Sequence, residues 1–152
     1  MKYELSLQYI AGLFDGEGSI GIYRYFGCRY ALRTQLVQNL YPESVQVFKW
    51  LIKHYGGSAS PQPTLSMNTN FNWQLTSKKA QIFLEDICPY LRLKKKEAEL
   101  AIRWQKGRPE PSRDPVTGWY VRYVDDKKDV AVDRQLRRMK KTRRLRFKKG
   151  KS

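Results

Sequence analysis

Cysteine and histidine are scarce in this chain: Cys28, Cys88 and His54 are all there is among 152 residues. The two thiols lie far apart and form no disulfide framework, and with one His they make a tetrahedral zinc site within a single chain improbable. His54 stands just before Gly56-Gly57 and reads as a helix-end residue rather than a catalytic base. No apolar run approaches the roughly 20 residues of a membrane span. The N-terminus carries no signal-peptide pattern, so the expected place of action is intracellular. Acidic side chains are also few, 14 against 30 Lys and Arg, for a net charge of +16. That excess points to nucleic acid as the partner, not to a membrane or a small-molecule substrate.

What is present argues for a folded chain. Hydrophobic residues make up 41%, with four Trp, ten Tyr and six Phe, enough for one domain with a modest core. The charge is uneven. Residues 107–152 hold sixteen basic and six acidic side chains, against fourteen and eight in residues 1–106. From Arg134 to Lys151 there are eleven Lys or Arg and no acid, with Leu136, Met139, Leu145 and Phe147 interleaved. A charge block of this kind is often just solvated; attached to a basic domain, it is expected to grip phosphates through Lys140, Lys141, Arg143 and Arg144.

The most informative segment runs from Tyr9 to Ile20. Leu5, Tyr9, Leu13 and Phe14 recur at helical spacing, whereas Ser19 to Tyr23 alternates like a strand, so a helix must stop near Gly18, its natural C-cap. Gly12 and Gly16 sit in the last turns of that helix, each at a cost of about 1 kcal/mol relative to Ala. Close approach of another backbone would offset the loss. Asp15 and Glu17 lie at the negative end of the helix dipole, where carboxylates need a cation or hydrogen-bond donors. A bound metal ion is the simplest such cation. Residues i and i+2 are about 200° apart around a helix, so the two acids cannot readily share one small ion, and one of them is expected to be structural. If the glycine face, with Tyr9 and Leu13, pairs with the same face of a second copy, like carboxylates meet near a two-fold axis. Gly16 to Gly21 also fits G-x-G-x-x-G, but that fingerprint follows a strand and opens a helix. Here the order is reversed.

Along the rest of the chain, Ser19 to Phe26 and Arg29 to Gln38 alternate as two strands around a turn at Gly27-Cys28. Pro42 opens a helix that ends at Gly56-Gly57. Ser58 to Met67, with Pro61 and Pro63, reads as a weak edge strand, and Phe71, Trp73 and Leu75 alternate with Asn70, Asn72, Gln74 and Thr76 in a second hairpin. Ser77 is expected to cap a helix that Pro89 interrupts, before a longer helix from about Tyr90 to Trp104. Residues 107–111, rich in Gly and Pro, read as a linker. The class is therefore α+β, with residues 1–106 as the domain and 107–152 as linker and basic extension.

Residues Ile10 to Gly18 resemble the motif that names the LAGLIDADG homing endonucleases, with Gly16 and Glu17 standing for the motif's second Ala and last Asp. The resemblance extends over about residues 3–106 and implies an αββαββα domain whose concave antiparallel sheet lies on DNA. It further implies that the last acid, Glu17, binds a divalent metal such as Mg²⁺ with Gly16 beside it, while Asp15 supports the helix end. Val37-Gln38-Asn39 is similar to the segment where a polar side chain orients water, which places that role on Gln38. Pro89 to Lys96 looks like the segment where a Lys approaches the scissile phosphate; Lys94 is the best positional match, with Lys95 beside it.

One copy of the motif implies a homodimer through Tyr9, Gly12, Leu13 and Gly16, and a long, roughly palindromic double-stranded DNA target. Arg29, Arg33, Gln35, Asn72 and Gln74 fall on polar strand faces suited to base edges, Arg to guanine and Asn or Gln to adenine. Ser19, Tyr23 and Tyr25 are further candidates on the first strand. The expected reaction is metal-assisted hydrolysis of one phosphodiester per strand, which the resemblance places across the minor groove with short 3′ overhangs. Two rivals stand beside it: a binding protein of the same fold, such as an intron maturase or a transcription regulator, and a basic structural RNA-binding protein. Metal-dependent cutting separates the first reading from both.

Overall fold

The computed structural model describes residues 4–25, 29–63, 69–109, 113–119 and 126–145. The turn at Gly27-Cys28, the side chains of Tyr25, Arg29 and Arg144, and everything after Leu145 lie outside that description, as do Met67 and Glu110-Pro111 of the expected strand and linker. Helix α1 (Leu7–Glu17) leads into strand β1 (Gly18–Tyr25), which pairs with β2 (Arg29–Asn39). Helix α2 (Pro42–Tyr55) follows, then β3 (Ser58–Pro63) and β4 (Thr69–Thr76). Helix α3 (Ser77–Ile87), a short 3-10 turn (Cys88–Tyr90), α4 (Lys95–Lys106) and α5 (Asp126–Leu145) complete the chain.

The four strands form one antiparallel sheet in the order β1-β2-β4-β3, so the two hairpins meet through β2 and β4. Pro61 and Pro63 are accommodated because β3 is at the edge, where a missing N–H breaks no ladder on its open side. Alternation sorts the sheet. Ile20, Ile22, Leu32, Leu36, Trp73 and Leu75 are buried. Most of them pack with Ile10 and Phe14 of α1, Phe48 and Leu51 of α2, and Phe83, Leu84 and Ile87 of α3. Phe83 is a hub of this core: the rings of Phe14, Tyr55 and Trp73 meet it edge-on at 5.4, 5.1 and 5.1 Å. Such pairs add about 1 kcal/mol each beyond the area they bury.

Three local expectations change. The cap of α3 is Thr76, not Ser77, and Ser77 holds a positive φ of 50° where strand turns directly into helix. The last helix of the domain begins at Lys95 rather than near Tyr90, because the chain leaves the 3-10 turn extended at Leu91 (φ −68°, ψ 142°) and crosses under α1 first. Gly18 does end α1, but with extended backbone (φ −80°, ψ 160°). Glycine is needed there for space, since a Cβ would collide with the Phe14 ring.

The described helix of the basic extension, α5, is built into the domain. Helix α5 packs along β1 and α4, with Leu136 only 1% exposed. At its start, buried Asp129 accepts hydrogen bonds from Trp104 Nε1 (2.9 Å) and Arg108 (3.3 Å), tying α5 to the end of α4.

Candidate nucleic-acid interface and catalytic site

The sheet face away from the core carries Ser19, Tyr23, Arg33, Gln35, Asn72 and Gln74, because each alternates with a core residue in the paired registers. The Arg33 guanidinium lies over the Tyr23 ring at 3.6 Å, and Gln35 Nε2 donates to Gln74 Oε1 across β2 and β4 at 3.3 Å. These contacts hold flat polar groups in fixed orientation, which lowers the entropy lost when they meet a partner. Asn72 differs from the others. It is 6% exposed, paired in register between Val37 and Ser60, and its amide oxygen is buried with no hydrogen-bond partner among the described residues.

At the β1 end of this face, α1 stops and the 91–94 segment passes beneath it. The Asp15 carboxylate accepts three backbone N–H groups, those of Arg92 (2.7 Å), Leu93 (3.2 Å) and Lys94 (3.0 Å). The Lys94 ammonium donates in turn to the Asp15 carbonyl. Protein donors thus supply what the helix dipole asked for at Asp15, the acid expected to support the helix end. Glu17 is different. It is exposed, and no hydrogen bond or ion pair engages its carboxylate among the described residues. Lys94 is 7% exposed, and burial pushes its pKa below the ordinary lysine value, helped by the neighbouring Arg143 charge.

A cavity of about 270 Å³ opens at this corner, lined by Gly16, Gly18, Ser19, Ile20, Lys94, Glu97, Lys140 and Arg143. Five expected residues, Gly16, Ser19, Lys94, Lys140 and Arg143, therefore meet in one place. Lys95 and Lys141 are exposed on α4 and α5. Gln38 lies at the same end of β2 but alternates onto the side of Leu36, opposite Phe71, while Asn39 falls on the side of Gln35. Glu97 was not anticipated. It is 3% exposed and its carboxylate is 2.6 Å from the Arg143 guanidinium, 46 residues on; no local spacing in the sequence signals that pair.

The face of α1 away from the core is uncovered. Tyr9 is 50% exposed, Gly12 and Gly16 are exposed, and a Cβ added at either glycine would meet nothing within 4 Å. Leu13 is partly buried against the core.

Among solved structures, the chain is similar to the homing endonuclease I-CvuI in complex with its target in the presence of Ca. Identity is 17% over 95% of this chain and 83% of that one, with a TM-score of 0.55. The fold is that of the LAGLIDADG homing endonucleases. I-TnaI, another homing endonuclease, matches at 16% identity and a TM-score of 0.50, over 68% of this chain and 74% of that one. The LAGLIDADG homing endonuclease I-GzeII in complex with its DNA target matches at 18% identity and a TM-score of 0.52, over 68% of this chain but only 36% of that longer one. The I-CvuI alignment reaches well past residue 106, so similarity to the LAGLIDADG fold takes in most of the basic extension as well as the motif domain. No protein-family model and no curated protein matches the chain.

Do the residues fit a divalent cation? Among the described residues no three His, Cys, Asp or Glu side chains come together, so one chain does not cage an ion alone. Each chain offers the free Glu17 carboxylate and the Gly16 carbonyl at a helix end, both hard oxygen donors of the type Mg²⁺ or Ca²⁺ prefers. These two donors fit part of the oxygen shell of such an ion.

Proposed function

We propose that the chain is a site-specific DNA endonuclease that acts as a homodimer and makes a metal-dependent double-strand break in a long, roughly palindromic target. The observation that carries this reading is the split between the two acids of α1. Asp15 is consumed in holding the 91–94 segment, whereas Glu17 is free at a helix end beside Lys94 and the polar sheet. A carboxylate left without a partner at the negative end of a helix dipole is costly unless it has a ligand to bind.

In this reading the α1 faces of two copies pack through Gly12 and Gly16, which bring the two Glu17 carboxylates together. The polar sheet faces then extend to either side along the duplex, and half-site symmetry mirrors protein symmetry. Arg33, Gln35 and Gln74 read base edges, Lys95 and Lys141 neutralise phosphates, and Lys94 offsets charge that develops on the scissile phosphate. Gln38, or Asn39 on the polar side, orients the attacking water. A divalent metal held by Glu17 and Gly16 would polarise phosphate oxygens and lower the pKa of a bound water.

Selecting cut sites from a randomised duplex library in Mg²⁺ tests activity and target together. Paired-strand cleavage at a palindrome-like sequence, lost with EDTA and in Glu17→Gln while gel-shift affinity survives, is the expected result. Binding without cutting under every divalent metal would return the chain to the regulator or maturase class.

A further inference from the structure

The corner that holds Lys94 is closed by α5, from the far end of the chain. Arg143 donates to the Leu93 carbonyl (3.3 Å) and to Glu97 Oε1 (2.6 Å). Leu93 thus has its N–H on Asp15 and its C=O on Arg143, while Glu97 lies in the first turn of α4, whose cap is Lys94 itself. The Lys94 backbone is held from one side by the motif helix and from the other by α5. The pair is built into the protein: Glu97 is 3% exposed, and the Arg143 side chain keeps about a third of its surface.

We propose that Arg143 is a positioning residue for the cleavage reaction: through Leu93 and Glu97 it fixes the 91–94 segment and so the place of the Lys94 ammonium. A phosphate contact, by contrast, would fall to Nη2 and Nε, the nitrogens these two bonds leave over. Here both hydrogen bonds leave from Nη1 and are directed inward, to a carbonyl and a buried carboxylate, and withdrawing the guanidinium would take from Glu97 its ion-pair partner, with Lys94 and Lys140 as the charges left nearby. The basic extension therefore has two kinds of side chain. Lys141 faces solvent and can meet DNA, whereas Arg143 has its Nη1 committed within the protein. The kinetic half of this proposal rests on the endonuclease reading; the structural half does not.

The test uses the full chain with Arg143→Gln, Arg143→Lys and Glu97→Gln, measured by amide hydrogen exchange without DNA and by single-turnover cleavage with Mg²⁺. Exchange at the amides of residues 92–94 should rise at least tenfold in Arg143→Gln while α1 and α3 stay protected. Cleavage at saturating protein should fall about a hundredfold, the cost of a catalytic group misplaced by about 1 Å, with the dissociation constant changed less than threefold. Arg143→Lys should recover part of the rate, and Arg143→Gln with Glu97→Gln together should cost no more than either alone, as residues acting as a unit do. Unchanged exchange at residues 92–94 overturns the proposal whatever the activity. So does a loss of affinity at an unchanged cleavage rate, which would make Arg143 a phosphate ligand. Raised exchange in the variant, with no cutting by the wild type under any metal, would leave the positioning role standing and remove the endonuclease reading.

Discussion

The two acids of the motif helix should behave oppositely on melting. Asp15 accepts three backbone N–H groups, and hydrogen bonds to a charged group contribute about 1.5–3 kcal/mol each when they stand alone. Here they share one carboxylate and two of the donors are near solvent, so water replaces part of what is lost. Asp15→Ala should therefore cost about 3 kcal/mol in all, which for a chain of this length lowers the melting temperature by roughly 6–12 °C. Asp15→Asn is more informative. Oδ1 accepts from Leu93 and Lys94, and Oδ2 accepts from Arg92. An amide placed to keep the first pair turns its NH₂ toward the Arg92 N–H, so the isosteric change should still cost about 2 kcal/mol through one unmade bond and one opposed donor. Glu17→Gln touches no bond among the described residues and should leave melting within about 0.5 kcal/mol of wild type. Calorimetry of the three variants at one protein concentration, without metal, gives the comparison. If Asp15→Asn melts with the wild type, or Glu17→Gln falls as far, the division into a structural acid and a free one is refuted, and the metal assignment goes with it.

Other perturbations test separate parts of the molecule. Gly12→Leu should yield monomers by light scattering with the fold intact, since the position is open and replacing an interior helix glycine gains about 1 kcal/mol in the isolated chain; a retained dimer would remove the helix-pairing argument. Tyr55 donates to Asp86 at 2.8 Å, and burial first, then that bond and the Asp86 charge, hold its phenol well above the usual tyrosine range. A raised value means stability that is fully present below pH ~10 and is lost as pH rises through the folded value. The advantage of wild type over Tyr55→Phe, about 1 kcal/mol in urea melts at pH 8, should accordingly shrink as melts are taken above pH 10, and a constant difference would contradict the assignment. Thr34 is fully buried on the core side of β2, and its hydroxyl has no hydrogen-bond partner among the described residues. Thr34→Val should therefore stabilise the chain by about 1 kcal/mol, and a loss in denaturant melts would show that the hydroxyl has a use.

The elements were legible where one physical rule decides them. Strict alternation located β1, β2 and β4, the prolines marked β3 as an edge, and Pro42 with Gly56-Gly57 bracketed α2. The motif, too, told that one acid would be structural, since two residues apart on a helix cannot point the same way. The resemblance placed that role on Asp15, but what Asp15 holds needed the 91–94 segment, 77 residues beyond it, and no local pattern announces a carboxylate that caps another segment's amides. The start of α4 was misplaced for the same reason: Tyr90 to Lys94 has the composition of a helix, and Asp15 holds its N–H groups in another conformation. For the basic extension, charge hid the signal. Leu136 and Met139 carry a helical spacing that continues back to Val132, but a run of Lys and Arg reads as solvated until something is seen to cover it.

That last difference alters what the net charge means. A charge of +16 suggests a broad reserve of phosphate contacts, yet several of the cations are engaged within the chain. Arg143 is on Glu97, Arg108 on Asp129 and Lys106 on Glu85, while Lys94 is on the Asp15 carbonyl. Lys140 is half-buried, with its pKa pushed down chiefly by burial. Counterion release counts only those Lys and Arg that reach phosphate, at about 0.9 of a unit of salt slope per contact. Removing everything after Asp133 would therefore confound two effects, because it takes away Leu136 and Arg143 along with the exposed Lys141. A substitution at Lys141 alone isolates the electrostatic part, and it should flatten the slope by about one unit per subunit without moving the base preference at any target position. The geometry of α5 thus divides a uniform-looking basic run into a side chain that closes the Lys94 corner and one that faces solvent.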